Sequence, residues 1–227
     1  MSGNINRTRA YLFDYGGTLD TGGQHWGKVI WHAYRQLDIP VDEAAYRDAY
    51  VATERALGSQ PLIGSNDTFR QTLDVKLRMQ LQQLGQIGYH ARLLELLYEH
   101  AWQHTAVSRS ILMTLKEHAT LGLVSNFYGN LPVVLREFGL SDCFSCVVES
   151  AAVGVRKPDT RIFTIAVEQL GMSPGEVTVV GDSYANDIVP AHAAGCHTVW
   201  LRGEPWSAVP ASTLAADSVI QELKELL

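Results

Sequence analysis

Four short stretches hold residues able to do chemistry, and each follows an apolar run. They are Asp14-Tyr15-Gly16-Gly17-Thr18, Ser125-Asn126, Arg156-Lys157-Pro158, and Gly181-Asp182-Ser183 with Asn186-Asp187. A carboxylate such as Asp14 can attack phosphorus, splitting one hard displacement into two easier ones through an aspartyl-phosphate. Its approach requires the anionic phosphoryl oxygens to be neutralised. Mg²⁺, an oxygen-seeking ion held by one or two carboxylates, would do this, and Asp14 with Asp182 suit it. Lys157 adds positive charge. Ser125 and backbone N–H groups would donate hydrogen bonds that strengthen as charge spreads in the transition state. Gly17, Thr18 and Asn126, their immediate neighbours, are the expected substrate contacts.

Such residues converge only if the elements before them end at one edge. Ala10-Tyr11-Leu12-Phe13 reads as a buried strand that runs into a glycine-opened turn. Further strands are expected at Leu121–Val124, Phe144–Val148, Val177–Val180 and Thr198–Leu201. Helices are expected between them at Ser108–Glu117, Leu131–Phe138, Asp159–Leu170 and Ile188–Ala194, with a short packing helix at Leu223–Leu227. This alternation predicts a Rossmann-like, doubly wound α/β fold whose parallel sheet is covered on both faces. Ligands bind such sheets beyond the carboxyl ends of the strands. From His25 to Thr105 the pattern is helical throughout. Trp26, Val29, Ile30, Ala33, Tyr34 and Leu37 recur at helical spacing, as do Phe69, Leu73, Leu77, Leu81 and Leu84. Pro40 and Asp42 mark a break and an N-cap. The expected division is a core of residues 1–22 and 106–227 with an all-helical cap of residues 23–105.

The chain of 227 residues is long enough for one core and a smaller appended domain. Its 18 basic and 24 acidic residues leave a net charge of −6, which argues against nucleic acid as a partner. No run of apolar residues is long enough for a membrane span, and the polar start lacks a secretory pattern. Cys143, Cys146 and Cys196 have no ordered further ligands, so they read as packing residues in a reducing compartment. A cytoplasmic protein, monomer or homodimer, is the expectation.

The four stretches, in this order and each after a strand, resemble the motifs of the haloacid dehalogenase-like (HAD) hydrolase superfamily. The residues that carry the resemblance are Asp14-Tyr15-Gly16-Gly17-Thr18-Leu19, Val124-Ser125-Asn126, Lys157-Pro158 and Gly181 to Asp187. The resemblance implies a phosphatase-type hydrolase of a small phosphorylated metabolite, closed over by a helical cap. It implies that Asp14 is nucleophile and Mg²⁺ ligand, and that Gly16 offers its carbonyl to the metal. Ser125 would bind the phosphoryl group, Lys157 would pair with Asp14 and phosphate, and Asp182 and Asp187 would serve the metal. Phosphatases of this family carry a second aspartate two residues after the nucleophile as general acid and base. Gly16 stands at that position here. Asp20 or His25, with Tyr15 a weaker choice, would have to replace it. Alternatively the chain is a phosphonate-cleaving relative relying on a cap lysine, Lys28 or Lys76, a halide-cleaving relative, or a phosphate-binding regulatory module.

Overall fold

The computed structural model describes residues 8–207 and 213–227. Its sheet has six strands in the order β3-β2-β1-β4-β5-β6, paired in parallel throughout. They are β1 (Ala10–Phe13), β2 (Thr120–Ser125), β3 (Cys146–Glu149), β4 (Val177–Gly181), β5 (His197–Leu201) and β6 (Ser218–Ile220). The central strand is buried at all four positions, because its alternate side chains enter two separate cores. Tyr11 and Phe13 pack into one with α4 (His90–Leu115) and α5 (Leu131–Glu137). Ala10 and Leu12 pack into the other with α7 (Arg161–Leu170) and α8 (Val189–Ala193). Burial on both faces is what turns parallel strands into continuous apolar runs. The chain leaves β1 toward β2 on one side and later returns to β4 on the other, which opens a crevice at the carboxyl end of β1.

Between β1 and β2 come α1 (Trp26–Gln36), α2 (Glu43–Ser59), α3 (Phe69–Gln83) and α4. Asp42 caps α2 as expected, its carboxylate accepting the Ala45 N–H at 2.8 Å. Thr68 and Gln71 form a reciprocal capping box at α3. The separate helix expected at Ser108–Glu117 is the end of α4, which runs unbroken for 26 residues through position 105. Its buried face continues from Leu93, Leu97 and Ala101 to Ile111, Leu112 and Leu115, so no apolar gap forces a break. The Ser108 hydroxyl also donates to the Leu19 carbonyl at 2.7 Å, fixing α4 to the turn after Asp14. All three cysteines are free and buried. Among the described residues no helix is long and apolar enough to cross a membrane.

Candidate active site

Asp14 follows β1 directly, and its N–H donates to the Val180 carbonyl at 2.9 Å. The chain then turns over Tyr15, whose carbonyl accepts from Thr18 at 3.2 Å and Leu19 at 2.8 Å. Gly17 has φ +104°, and a Cβ there would lie 2.4 Å from Asp182 Oδ1. A side chain is therefore excluded both by conformation and by contact. Thr18 bridges the two strand ends. Its hydroxyl accepts the Asp182 N–H at 3.0 Å and stands 3.2 Å from Asp14 Oδ2 and 3.1 Å from Asp182 Oδ1. Beyond β4, a wide helical turn over Tyr184–Ile188 brings Asp187 back toward the sheet. Gly181 makes room, since a Cβ there would lie 2.5 Å from the Asp187 side chain.

Lys157 reaches between the acids. Its ammonium bonds to Asp14 Oδ1 and, at 2.7 Å, to Asp187 Oδ1. Asn126 sets its backbone by a reciprocal pair, accepting the Lys157 N–H at 2.9 Å and donating to its carbonyl at 3.0 Å. Ser125 ends β2, buried, two residues beyond the partner of Phe13. Burial raises the Asp14 carboxyl to about 6 despite the neighbouring Lys157. Burial, then the charges of Asp14 and Asp187, push Asp182 well up. For Lys157, burial acts downward, but Asp14 and Asp187 hold it above its ordinary value. Oxygens of Asp14, Asp182 and Asp187 lie within 4.8 Å of one another. Three buried acids facing one ammonium make an all-oxygen, electron-rich cluster short of positive charge, and that donor set fits Mg²⁺.

The structure thus brings Asp14, Lys157, Asp182 and Asp187 together, and the expected substrate contacts make hydrogen bonds within the protein. The Thr18 hydroxyl is fully buried and joins Asp14 to Asp182, and its N–H is taken by Tyr15. The Gly17 N–H donates to Asp20 Oδ1 at 2.8 Å. Asn126 lines the cleft, yet both ends of its amide serve Lys157.

A cleft of about 720 Å³ lies beside this cluster, walled by the helical insert and by residues that follow the strands, among them Gly16, Asn126 and Asn186. Gly16, Asp20 and Trp26 line its floor. Trp26, which helical spacing assigned to the core, turns its indole Nε1–H to Asp20 Oδ2 at 2.8 Å. Burial raises Asp20 to about 7. His25 is spent otherwise. Its Nδ1 accepts the Gly27 N–H at 3.0 Å to cap α1, its ring stacks on Trp206, and burial lowers it to about 4. The far wall holds Glu54, Lys76 and Tyr128. Glu54 and Tyr128 escaped sequence reading because an acid on a helix and a tyrosine in a loop carry no motif. The end of α2 at Gly58-Ser59 and the two residues after it, Gln60-Pro61, line the cleft as well.

The family model for haloacid dehalogenase-like hydrolases matches residues 8–195. Haloacid dehalogenase-like hydrolase domain-containing protein 3 of Mus musculus is 30% identical over 217 residues, 91% of this chain and 85% of that protein. Pyrimidine 5'-nucleotidase YjjG of Escherichia coli is 36% identical over 124 residues, 52% of this chain and 54% of that protein. In fold, the HAD-hydrolase YfnB of Bacillus subtilis, solved bound to magnesium, aligns with TM-score 0.61 at 20% identity over 97% of each chain. The matched span takes in the helical insert and every motif that meets at the end of β1, and the chain belongs to the haloacid dehalogenase-like hydrolases.

Proposed function

We infer that the chain is a Mg²⁺-dependent phosphatase of small phosphate monoesters, with the helical insert as a cap over the reacting groups. The observation that carries this reading is the juxtaposition of Asp14 with Lys157, Asp182 and Asp187, whose chain neighbours Gly16, Asn126 and Asn186 line a cleft. Asp14, Asp182, Asp187 and the Gly16 carbonyl would hold Mg²⁺, which when bound would neutralise phosphoryl oxygens. Asp14 attacks phosphorus, the ester oxygen leaves, and water then hydrolyses the aspartyl-phosphate. Lys157 keeps its proton and offsets charge on the nucleophile and the transferring group. Ser125, at the end of β2, donates to that group. The nucleotidase among the relatives, by its name, acts on a phosphate ester, which is consistent with this class.

Gly16 supplies no acid, and Asp20 is our candidate for that task. It lines the cleft, and a carboxyl near 7 exchanges a proton at neutral pH. His25, lowered to about 4, is neutral there and has no proton on offer at its capping nitrogen. A Schiff-base route through a cap lysine is disfavoured. Lys28 pairs with Glu204 at 3.7 Å, outside the cleft lining. Lys76 pairs with Glu54 at 2.7 Å and is held protonated, so its amine is not nucleophilic. Free, buried cysteines suit a cytoplasmic site of action.

The test is hydrolysis of p-nitrophenyl phosphate, followed to many turnovers with Mg²⁺ and with EDTA, beside Asp14→Asn. Nitrophenolate leaves without protonation, so the assay isolates the nucleophile from the acid. Sustained turnover that EDTA stops and Asp14→Asn abolishes is expected. Turnover retained by the variant would remove the covalent mechanism, and none by either chain would favour a phosphate-binding module.

A further inference from the structure

The cleft holds a second charged cluster that the phosphoryl chemistry does not use. Glu54 stands on α2, Lys76 on α3, and Tyr128 in the loop after β2. The Lys76 ammonium lies 2.7 Å from Glu54 Oε1, and the Tyr128 hydroxyl donates to Glu54 Oε2 at 3.0 Å. Lys76 is only 9% exposed. Burial works against its charge, but Glu54 and then Tyr128 hold it protonated. An ion pair taken out of water gains little stability over an apolar pair of the same shape. Its place on the wall of the cleft calls for a different role.

The cluster's free valences indicate what it would meet. Among the described residues the Glu54 carboxylate meets the Lys76 ammonium at 2.7 Å and the Tyr128 hydroxyl at 3.0 Å, which leaves lone pairs to accept a further donor. The ammonium has three donors. An acceptor and a donor side by side match a hydroxyl group, which gives one hydrogen bond and takes another. They do not match a carboxylate or a second phosphate, because the Lys76 charge is already cancelled and Glu54 would repel an anion. Arg156, at the rim, is exposed and gives an anion no dry site. Trp26, Phe69 and Phe127 supply apolar wall to the same cleft.

We propose that Glu54, Lys76 and Tyr128 read the hydroxyl groups of the leaving alcohol, so that preferred ligands are phosphate monoesters of neutral polyhydroxylated alcohols. This deepens the phosphatase reading and rests on it for the orientation of the ligand. A site built to hydrogen-bond hydroxyls rejects analogues lacking them. A contact that merely holds cap to core would instead affect every phosphate ester alike.

The experiment measures calorimetric binding of erythritol phosphate and of phosphoglycolate, with Mg²⁺, in the Asp14→Asn chain. Erythritol phosphate is expected to bind tighter by about tenfold or more. Adding Glu54→Gln removes the acceptor's charge and frees the Lys76 charge, so the order should reverse. Tyr128→Phe, a gentler change, should weaken erythritol phosphate alone and serves where Glu54→Gln does not fold. Phosphoglycolate binding as tightly as erythritol phosphate, equal losses on both ligands in the variants, or no binding of either would overturn the proposal. Turnover of p-nitrophenyl phosphate by the unaltered chain separates the two ideas. If it is absent, the phosphatase reading fails while the order of binding still decides the reader.

Discussion

Two carboxyl groups one turn apart, Asp14 and Asp20, illustrate how surroundings divide labour between identical side chains. Burial raises both, Asp14 to about 6 and Asp20 to about 7. Asp14 has the Lys157 ammonium in contact, which opposes the rise. Asp20 has no such cation among the described residues and instead accepts the N–H groups of Gly17 and Trp26. The proposed nucleophile is thereby biased toward the anion and the candidate acid toward its protonated form. A cation bound among the acids would lower Asp14 further and leave Asp20 less affected. The sign for the acid is direct: Asp20 carries its proton below about 7 and loses it above. Hydrolysis of an alkyl phosphate, divided by that of p-nitrophenyl phosphate, should therefore fall as pH rises through 7. In Asp20→Asn the ratio should be lower by about 10²-fold and flat with pH. A variant that keeps the slope would show that another group gives the proton. The bond from Trp26 to Asp20 was not legible in the sequence. Helical spacing assigns Trp26 to the core, and only the turn of the chain at Gly22 and Gly23 aims its indole back at the acid.

The element that does most for the site is the turn joining β1 to the insert. Gly17 lets the backbone pass against the Asp182 carboxylate, and Thr18 locks the two strand ends by its hydroxyl. Gly17→Ala would force a left-handed conformation on a residue with a Cβ, costing about 1–2 kcal/mol. It would also displace Asp182, the only part of the contact free to give way. The expected result is a Mg²⁺ titration midpoint raised several-fold, with Tm lowered by about 2–8 °C. A lowered Tm with an unchanged metal titration would show that Asp182 tolerates the crowding. The sheet and this turn were legible because strands buried on both faces are continuous apolar runs that end in chemistry-bearing residues. The unbroken α4 was not, since the division between insert and core suggests a break that the apolar face of the helix never makes. β6 was missed because it is three residues long and its Val219 is exposed, leaving no periodic signal. Glu54 and Lys76 lie on different helices of the insert, and only packing of α2 on α3 makes them a pair.

At the scale of the whole molecule, an insert acting as the proposed cap would move relative to the strand ends to admit substrate, and one loop would oppose that motion. After β5 the chain crosses to the insert. The Glu204 carbonyl accepts the His25 N–H at 3.0 Å, and its carboxylate meets Lys28 at 3.7 Å and His32 at 2.6 Å. Trp206 then lies between α1 and α2. It stacks on His25 with centroids 5.3 Å apart, meets Tyr50 at 4.8 Å, and carries the Arg47 guanidinium 3.9 Å over its ring. Gly27 is its seat, since a Cβ there would come within 2.4 Å of the indole. The ion pairs are largely exposed and contribute little, so the aromatic contacts set the strength of the strap at about 1–3 kcal/mol. Trp206→Ala should weaken the closed arrangement without touching the reacting groups. A rise in KM for p-nitrophenyl phosphate of several-fold is expected, with kcat lowered less, and Tm falling by about 2–8 °C. Gly27→Ala, which crowds the same seat from the other side, should shift KM in the same direction. If both variants lose Tm but keep KM, Trp206 is packing alone and closure of the insert is governed elsewhere.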